Sequence, residues 1–207
     1  LINPVAELEL NKDANTNTKR FVGDIWGTYD ILDGLQFKTS FGEDWNFTRF
    51  DQFLPKYSIN PSFQFNNPNS YIENYSNGST WLWTNTLTYD KLFGDKHRLN
   101  LLVGQSSEQT DFHALGATGK NYAVDNLDYI SIYAASINNR TVNAFLPSKS
   151  SRASFWFRTN YTLMDRYLFT ATIRADGSSK FGPNNRWGYF PSAAVGWRIN
   201  KENFLKN

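Results

Sequence analysis

Few of the 207 residues stand at spacings that chemistry needs. Glu43 and Asp44 are neighbouring carboxylates, but adjacent residues of a strand point to opposite faces, so they cannot form the facing acid pair that glycoside hydrolysis requires. His97 and His113 fall at a turn and in a loop, without a third donor at ligand spacing, and no metal site is read from them. Asp125-Asn126-Leu127-Asp128 carries oxygens of the kind Ca²⁺ takes, although an ordinary polar loop accounts for it as well. The loop from Gly177 to Arg186 contains glycine but lacks the strand-to-helix setting of a phosphate cradle. Asn74-Tyr75-Ser76 is a glycosylation sequon that arises by chance in so Asn-rich a chain. These residues name no catalytic group, no metal and no cofactor, and the chain does not read as an enzyme.

Bulk properties narrow the remaining classes. Lysine and arginine are scattered over a chain of net charge +2, without the basic stripe that nucleic-acid binding uses. Cysteine is absent, which removes disulfide scaffolds and thiolate metal sites. Charged residues make up 19% and aromatic ones 17%, a balance that suits strands and, through interfacial Trp and Tyr, a membrane barrel. Mean hydropathy is −0.54, and no stretch approaches the roughly 20 apolar residues of a spanning helix. A transmembrane barrel escapes that test, because alternation hides its apolar face from any average. The chain starts at Leu1 without the charged and apolar regions of a signal peptide, which in an internal fragment carries no information.

Period-two alternation is the dominant pattern. Tyr167, Phe169, Ala171, Ile173 and Ala175 alternate with Leu168, Thr170, Thr172, Arg174 and Asp176; after the 177–186 loop, Trp187, Tyr189, Pro191, Ala193, Val195, Trp197 and Ile199 resume the same parity. Two such strands make a hairpin whose faces meet different solvents. Earlier in the chain, residues 1–18 read as a loop leading into a strand from Phe21 to Ile31. Asp33-Gly34 then predicts a type I′ turn, and the return strand fades near Phe47. Arg49 to Ser79 reads as a long loop. Strands from Trp81 to Lys91 and around Leu99 to Val103 flank a turn at Phe93 to Lys96. Phe112 to Ser150 reads as a second long loop with room for a short helix. A strand from Phe155 to Leu163 then enters the hairpin through Met164-Asp165-Arg166.

Connections therefore alternate between tight and long, as in an outer-membrane barrel with periplasmic turns and extracellular loops. The apolar parity carries almost no charge at mid-strand. The opposite parity carries Asp24, Lys38, Arg98, Arg158, Arg174 and Arg198, which are expected to face the water-filled lumen. A charge at mid-membrane on the lipid side would cost about 2–4 kcal/mol. The expected fold is all-β: an antiparallel up-and-down meander of about seven strands over residues 1–207, part of a large transmembrane β-barrel with long extracellular loops.

The run ADGSSKFGPNNRWGYFPSAAVGWRI (Ala175 to Ile199), with the KENFLK that follows, resembles the signature of the SusC/RagA family of TonB-dependent outer-membrane transporters from Bacteroidetes-type Gram-negative bacteria. NPVAELE from Asn3, GLQFKTSFGEDW from Gly34 and TNTLTYDKLFGDKHRLNLLVG from Thr84 echo it more weakly. The plug domain and TonB-box segment of that family have no counterpart here, and about seven strands cannot close the roughly 22-stranded barrel it implies. The resemblance implies import of oligosaccharides, or of peptides in RagA-like members. It also implies outer-membrane lipid around the barrel, a SusD-like surface lipoprotein over its mouth, and TonB engaged through the absent N-terminal part. Under it, the loop aromatics Tyr57, Phe63, Tyr71, Tyr75 and Tyr129 become candidates for stacking on substrate or docking the lid. A soluble carbohydrate-binding β-sandwich with those aromatics as its platform is the competing architecture.

Overall fold

Strands form wherever apolar and polar residues alternate, and they run on past the point where the alternation stops. The computed structural model describes residues 4–60, 64–125 and 127–205. In chain order the elements are α1 (Pro4–Leu10), β1 (Asn15–Leu32), β2 (Leu35–Leu54), β3 (Tyr57–Asn60), β4 (Gln64–Asn66), β5 (Ser70–Phe93), β6 (His97–Lys120), β7 (Arg140–Ala144), β8 (Ser148–Leu163), β9 (Tyr167–Ser178) and β10 (Trp187–Trp197). Short 3-10 turns separate β6 from β7, and two more, Ile199–Lys201 and Asn203–Leu205, follow β10. The long strands make one sheet in the order β1-β2-β5-β6-β8-β9-β10; β7 pairs with β6, and β3 with β4 forms a separate ribbon. This is the expected up-and-down meander, and no helix is long and apolar enough to cross a membrane.

Three boundaries differ from the sequence reading. Residues 1–18 include a helix and the start of β1 rather than a loop alone; the supposed loop 49–79 contains the end of β2, the β3-β4 ribbon and the start of β5; and β6 continues to Lys120 instead of ending near Phe112. The cause is physical. In these extensions both faces carry polar side chains, such as Thr16, Asn17 and Thr18 on β1 or Glu73, Asn74, Ser76 and Asn77 on β5. Alternation reports a contrast between two solvents, so it vanishes where both faces are wet while the ladder of backbone bonds goes on.

The chain divides into two units. The first comprises Leu1–Phe21, Trp45–Ser79 and Asp111–Ser148. It holds the buried apolar cluster Phe53, Tyr71, Tyr122 and Ala135, with Ile130 and Ile132 packed against it. Asn69, 1% exposed, ties the 121–139 segment to β5: its amide donates to Tyr122 O at 3.1 Å and to Asp125 Oδ1 at 2.5 Å, and its Oδ1 accepts from Tyr122 N at 2.7 Å. Arg140 holds the same segment from β7, donating to Ala135 O at 2.8 Å and Tyr133 O at 2.6 Å. Tyr122 and Asn69 are thus packing residues that keep a long connection folded.

The second unit comprises Val22–Asp44, Thr80–Thr110 and Lys149–Asn207. Antiparallel register puts Phe155 opposite Ala175, Phe157 opposite Ile173 and Tyr161 opposite Phe169, and then Tyr189 opposite Ala175, Pro191 opposite Ile173 and Val195 opposite Phe169. Odd-numbered residues therefore share one face of β8, β9 and β10, as the alternation predicts. That face is open: Ile25, Tyr29, Phe155, Ile173, Tyr189, Val195 and Trp197 are all about half exposed or more. All four buried hydrophobic residues among those described lie in the first unit, none on this face. A sandwich would cover the apolar face with its own chain; among the described residues this face stays exposed.

Candidate functional site

The even-numbered face of the second unit concentrates the polar chemistry. Near the tight turns a hydrogen-bonded row crosses four strands: Asn100 Nδ2 donates to Asp90 Oδ2 at 3.0 Å, Asn160 Nδ2 to Asn100 Oδ1 at 3.3 Å, and Thr170 Oγ1 to Asn160 Oδ1 at 2.9 Å. Farther along the same strands lies a cleft of ≈ 810 Å³, a size that suits a small ligand. Two ion pairs line it. Arg152 grips both oxygens of Glu108 at 2.6 and 2.7 Å. Arg174 Nε donates to both oxygens of Asp176 at 2.8 Å, and its NH2 donates to Ser154 Oγ at 3.2 Å. Such bidentate pairs fix both partners in direction as well as charge.

Aromatic rings complete the cleft. The Trp156 indole lies over Gly104 on one side, and the Arg174 guanidinium stands 5.4 Å from its centroid. Phe181 and Phe190 are 62% and 58% exposed and line the same cleft with their rings open. Phe190 lies against Gly188, where a Cβ would stand 3.0 Å from the ring, so the absence of a side chain lets the phenyl group lie down on the strand. The 179–186 loop that presents Phe181 is fastened to its neighbours: Ser179 N donates to Ser151 O at 2.9 Å, Ser151 N to Ser179 Oγ at 2.8 Å, and Ser178 N to Arg186 O at 3.0 Å.

Of the residues expected to line the lumen, Asp24, Lys38, Arg98, Arg158 and Arg174 lie on the even face. Lys38 stands over the Trp26 ring at 5.3 Å, Arg98 bonds Asp90 at 3.2 Å, and Arg158 is opposite Thr172. Arg198 departs from the expectation. Pairing of β10 ends at Trp197, the chain bends into the 199–201 turn, and the Arg198 guanidinium meets the Asp165 carboxylate of the β8-β9 turn instead.

The described loop aromatics have different surroundings. Tyr71 is 8% exposed inside the packed cluster, so its ring offers no face to a ligand. Tyr75 donates to Glu73 Oε1 at 2.6 Å, has its ring 5.9 Å from that of Phe47 and tilted to it, and lies under Arg49 at 6.0 Å. Tyr57 is half-buried on β3, and Tyr129 is 71% exposed in a 3-10 turn. Phe63 lies outside the described residues. His97 is engaged by Tyr161, with Nδ1 and Oη 2.6 Å apart. What residue-type reasoning missed is the cleft. Its signal was present: Trp156 and Phe190 are large aromatic rings on the parity that otherwise carries charge.

No family model matches the chain. Among curated proteins it is 33% identical over 219 residues to the TonB-dependent receptor SusC of Bacteroides thetaiotaomicron, covering 99% of this chain and 19% of SusC. It is 32% identical over 191 residues to the TonB-dependent receptor P3 of Formosa agariphila, covering 88% of this chain and 18% of that receptor. Among solved structures, the RagAB peptide transporter matches with a TM-score of 0.78 at 22% identity, over 95% of this chain and 22% of the other. RagAB in its open-open state gives 0.76 at 23% identity. The chain thus spans about a fifth of the length of the relatives it matches. With the exposed apolar face, the polar opposite face and the meander in place, it belongs to the SusC/RagA family of TonB-dependent outer-membrane receptors and spans a segment of their barrel.

Proposed function

We propose that the whole receptor imports oligosaccharides across the outer membrane of a Bacteroidetes-type Gram-negative bacterium, and that this chain supplies wall, lumen lining and extracellular loops. TonB would drive the import through a part of the receptor outside this chain, and a SusD-like lipoprotein would cover the mouth. The observation that carries the reading is the cleft on the even face, where open phenyl rings adjoin fixed guanidinium and carboxylate groups. Pyranose rings offer flat CH faces to aromatics and hydroxyls that donate and accept at once, which matches such a lining. Likeness to the TonB-dependent receptor SusC over nearly the whole chain supports the dependence on TonB.

A second reading is import of peptides, favoured by the likeness to the RagAB peptide transporter. Deleting the gene for the whole receptor in its host and measuring growth on single oligosaccharides, and separately on peptides as sole nitrogen source, decides between them. Loss of growth on an oligosaccharide, restored by the wild-type gene, is the expected outcome. Loss confined to peptides would overturn the first reading in favour of the second.

A further inference from the structure

The charges of the cleft do not cancel. Arg152 is neutralised by Glu108 and Arg174 by Asp176. Lys180 also lines the cleft, and its ammonium has no partner among the described residues, since only its backbone N–H is engaged, at 3.2 Å from Ser178 Oγ. That bond, with the contacts from Ser179 to Ser151, fixes where the lysine leaves the backbone. One unpaired cation thus stands on a fastened loop beside Phe181 and Phe190, which are open, and two ion pairs that also line the cleft.

We propose that this cleft is a subsite for an acidic oligosaccharide, a pyranose chain carrying a carboxylate or sulfate group, with Phe181 and Phe190 under sugar rings and Lys180 on the anionic substituent. The proposal rests on the reading of the whole receptor as an oligosaccharide importer and adds the charge class to it. Stacking on the phenyl faces supplies affinity that is indifferent to charge. The ammonium supplies the discrimination, because a charge-assisted bond forms only with the acidic sugar, while a neutral one leaves Lys180 solvated and nothing lost. A peptide fits the cleft less well. Peptides are commonly captured through main-chain bonds to an open strand edge, whereas the rings and charges that line the cleft are side chains on the face of the sheet.

The test uses the purified whole receptor and binding calorimetry with hexasaccharides: uronate hexamers beside their methyl esters, and sulfated galactan hexamers beside their desulfated forms. The expected result is that at least one acidic hexamer binds about tenfold or more tighter than its neutral counterpart. Lys180→Met should abolish that preference, and Phe190→Ala should weaken both members of the pair. Which acidic series responds distinguishes carboxylate from sulfate. An acidic preference that survives Lys180→Met would overturn the proposal, as would the absence of any preference, or Lys180-dependent binding of an acidic hexapeptide but of no hexasaccharide. Binding and import of oligosaccharides with no preference for the acidic member of either pair would remove this inference and leave the importer reading standing. Failure to bind or import any oligosaccharide would remove both.

Discussion

Trp156 lies across the α-carbon of Gly104, so close that a Cβ at position 104 would stand 2.0 Å from the indole. The ring therefore reaches its place over β6 only because residue 104 has no side chain. In turn it forms the surface on which Arg174 rests. Gly104→Ala should displace Trp156, loosen the Arg174–Asp176 pair and destabilise the barrel by about 1–3 kcal/mol. The measurement is the heat-induced gel shift of the whole receptor. Combining Gly104→Ala with Trp156→Leu should recover much of the loss, since a smaller side chain makes room. A double variant as unstable as the sum of its parts would show that the contact is not the cause.

The two faces of β9 and β10 make a directional prediction. Ile173 lies on the exposed apolar face, half exposed and opposite both Phe157 and Pro191, whereas Ser192 lies on the other face opposite Thr172. Ile173→Arg should lower the stability of the membrane-inserted receptor by about 2–4 kcal/mol, while Ser192→Arg should be nearly neutral. Urea titration of the receptor in vesicles reads both. Equal effects at the two sites would contradict lipid on the odd face.

How much of this was legible depends on where the contrast between solvents acts. The strands of the second unit and the alternation of tight and long connections could be read, because an apolar face set against a polar one leaves a period of two. The strand extensions of the first unit could not, since Glu73 and Asn74 are both polar and the period disappears. The cleft was hidden for a related reason: Trp156 and Phe190 break the pattern on the wet face, and such a break reads as noise until the fold puts it beside Arg174 and Phe181. Turn type was misread in one instance. Of Asp33-Gly34 only Gly34 has positive φ, +79°, so the pair is not the type I′ turn its letters announce.

A turn whose two central residues are both left-handed occurs instead at Met164-Asp165, both at φ 53°, with Arg166 N donating to Leu163 O at 3.0 Å. A left-handed conformation costs an ordinary L-residue about 1–2 kcal/mol. Met164→Gly should therefore raise the heat-shift midpoint of the receptor, because glycine takes positive φ without that penalty. Gly34→Ala should lower it, as the new Cβ would also stand 2.4 Å from Asp90 O. A lowered midpoint for Met164→Gly would mean that the methionine side chain contributes more than its backbone strain removes.

After β10 the chain turns Glu202 back to the start of β9. Its Oε1 accepts from Tyr167 Oη at 2.7 Å and Trp197 Nε1 at 3.1 Å, and its Oε2 from Arg166 NH1 at 2.9 Å. The Tyr167 hydroxyl, followed by the Trp197 indole and the Arg166 charge, holds this carboxyl below the usual glutamate range. Because the folded pKa is depressed, the stabilisation is fully present above the unfolded value and is lost as pH falls through the folded one. Glu202→Gln should lower the heat-shift midpoint at pH 7, and the gap to wild type should shrink below about pH 4.5. A gap that is constant with pH would mean that shape rather than charge holds the tail.

The odd face contains a polar row that is internally satisfied. Trp83 Nε1 donates to Thr39 Oγ1 at 3.0 Å, Thr39 Oγ1 to Asn85 Oδ1 at 2.8 Å, Asn85 Nδ2 to Gln105 Oε1 at 3.0 Å and Gln105 Nε2 to Ser107 Oγ at 2.8 Å. In lipid each of these groups would be costly alone, and the chain of bonds across β2, β5 and β6 is what makes them tolerable. The consequence is an asymmetry between single and paired substitutions. Asn85→Leu alone leaves the Gln105 carbonyl and the Thr39 hydroxyl without their partner, at a cost of about 1–3 kcal/mol. Asn85→Leu with Gln105→Leu and Thr39→Val removes most of the polar groups together, and apolar replacements suit lipid, so the triple variant should be at least as stable as the single one. Urea titration of the vesicle-embedded receptor compares them. A triple variant much weaker than the single would show that the polar row meets something other than lipid.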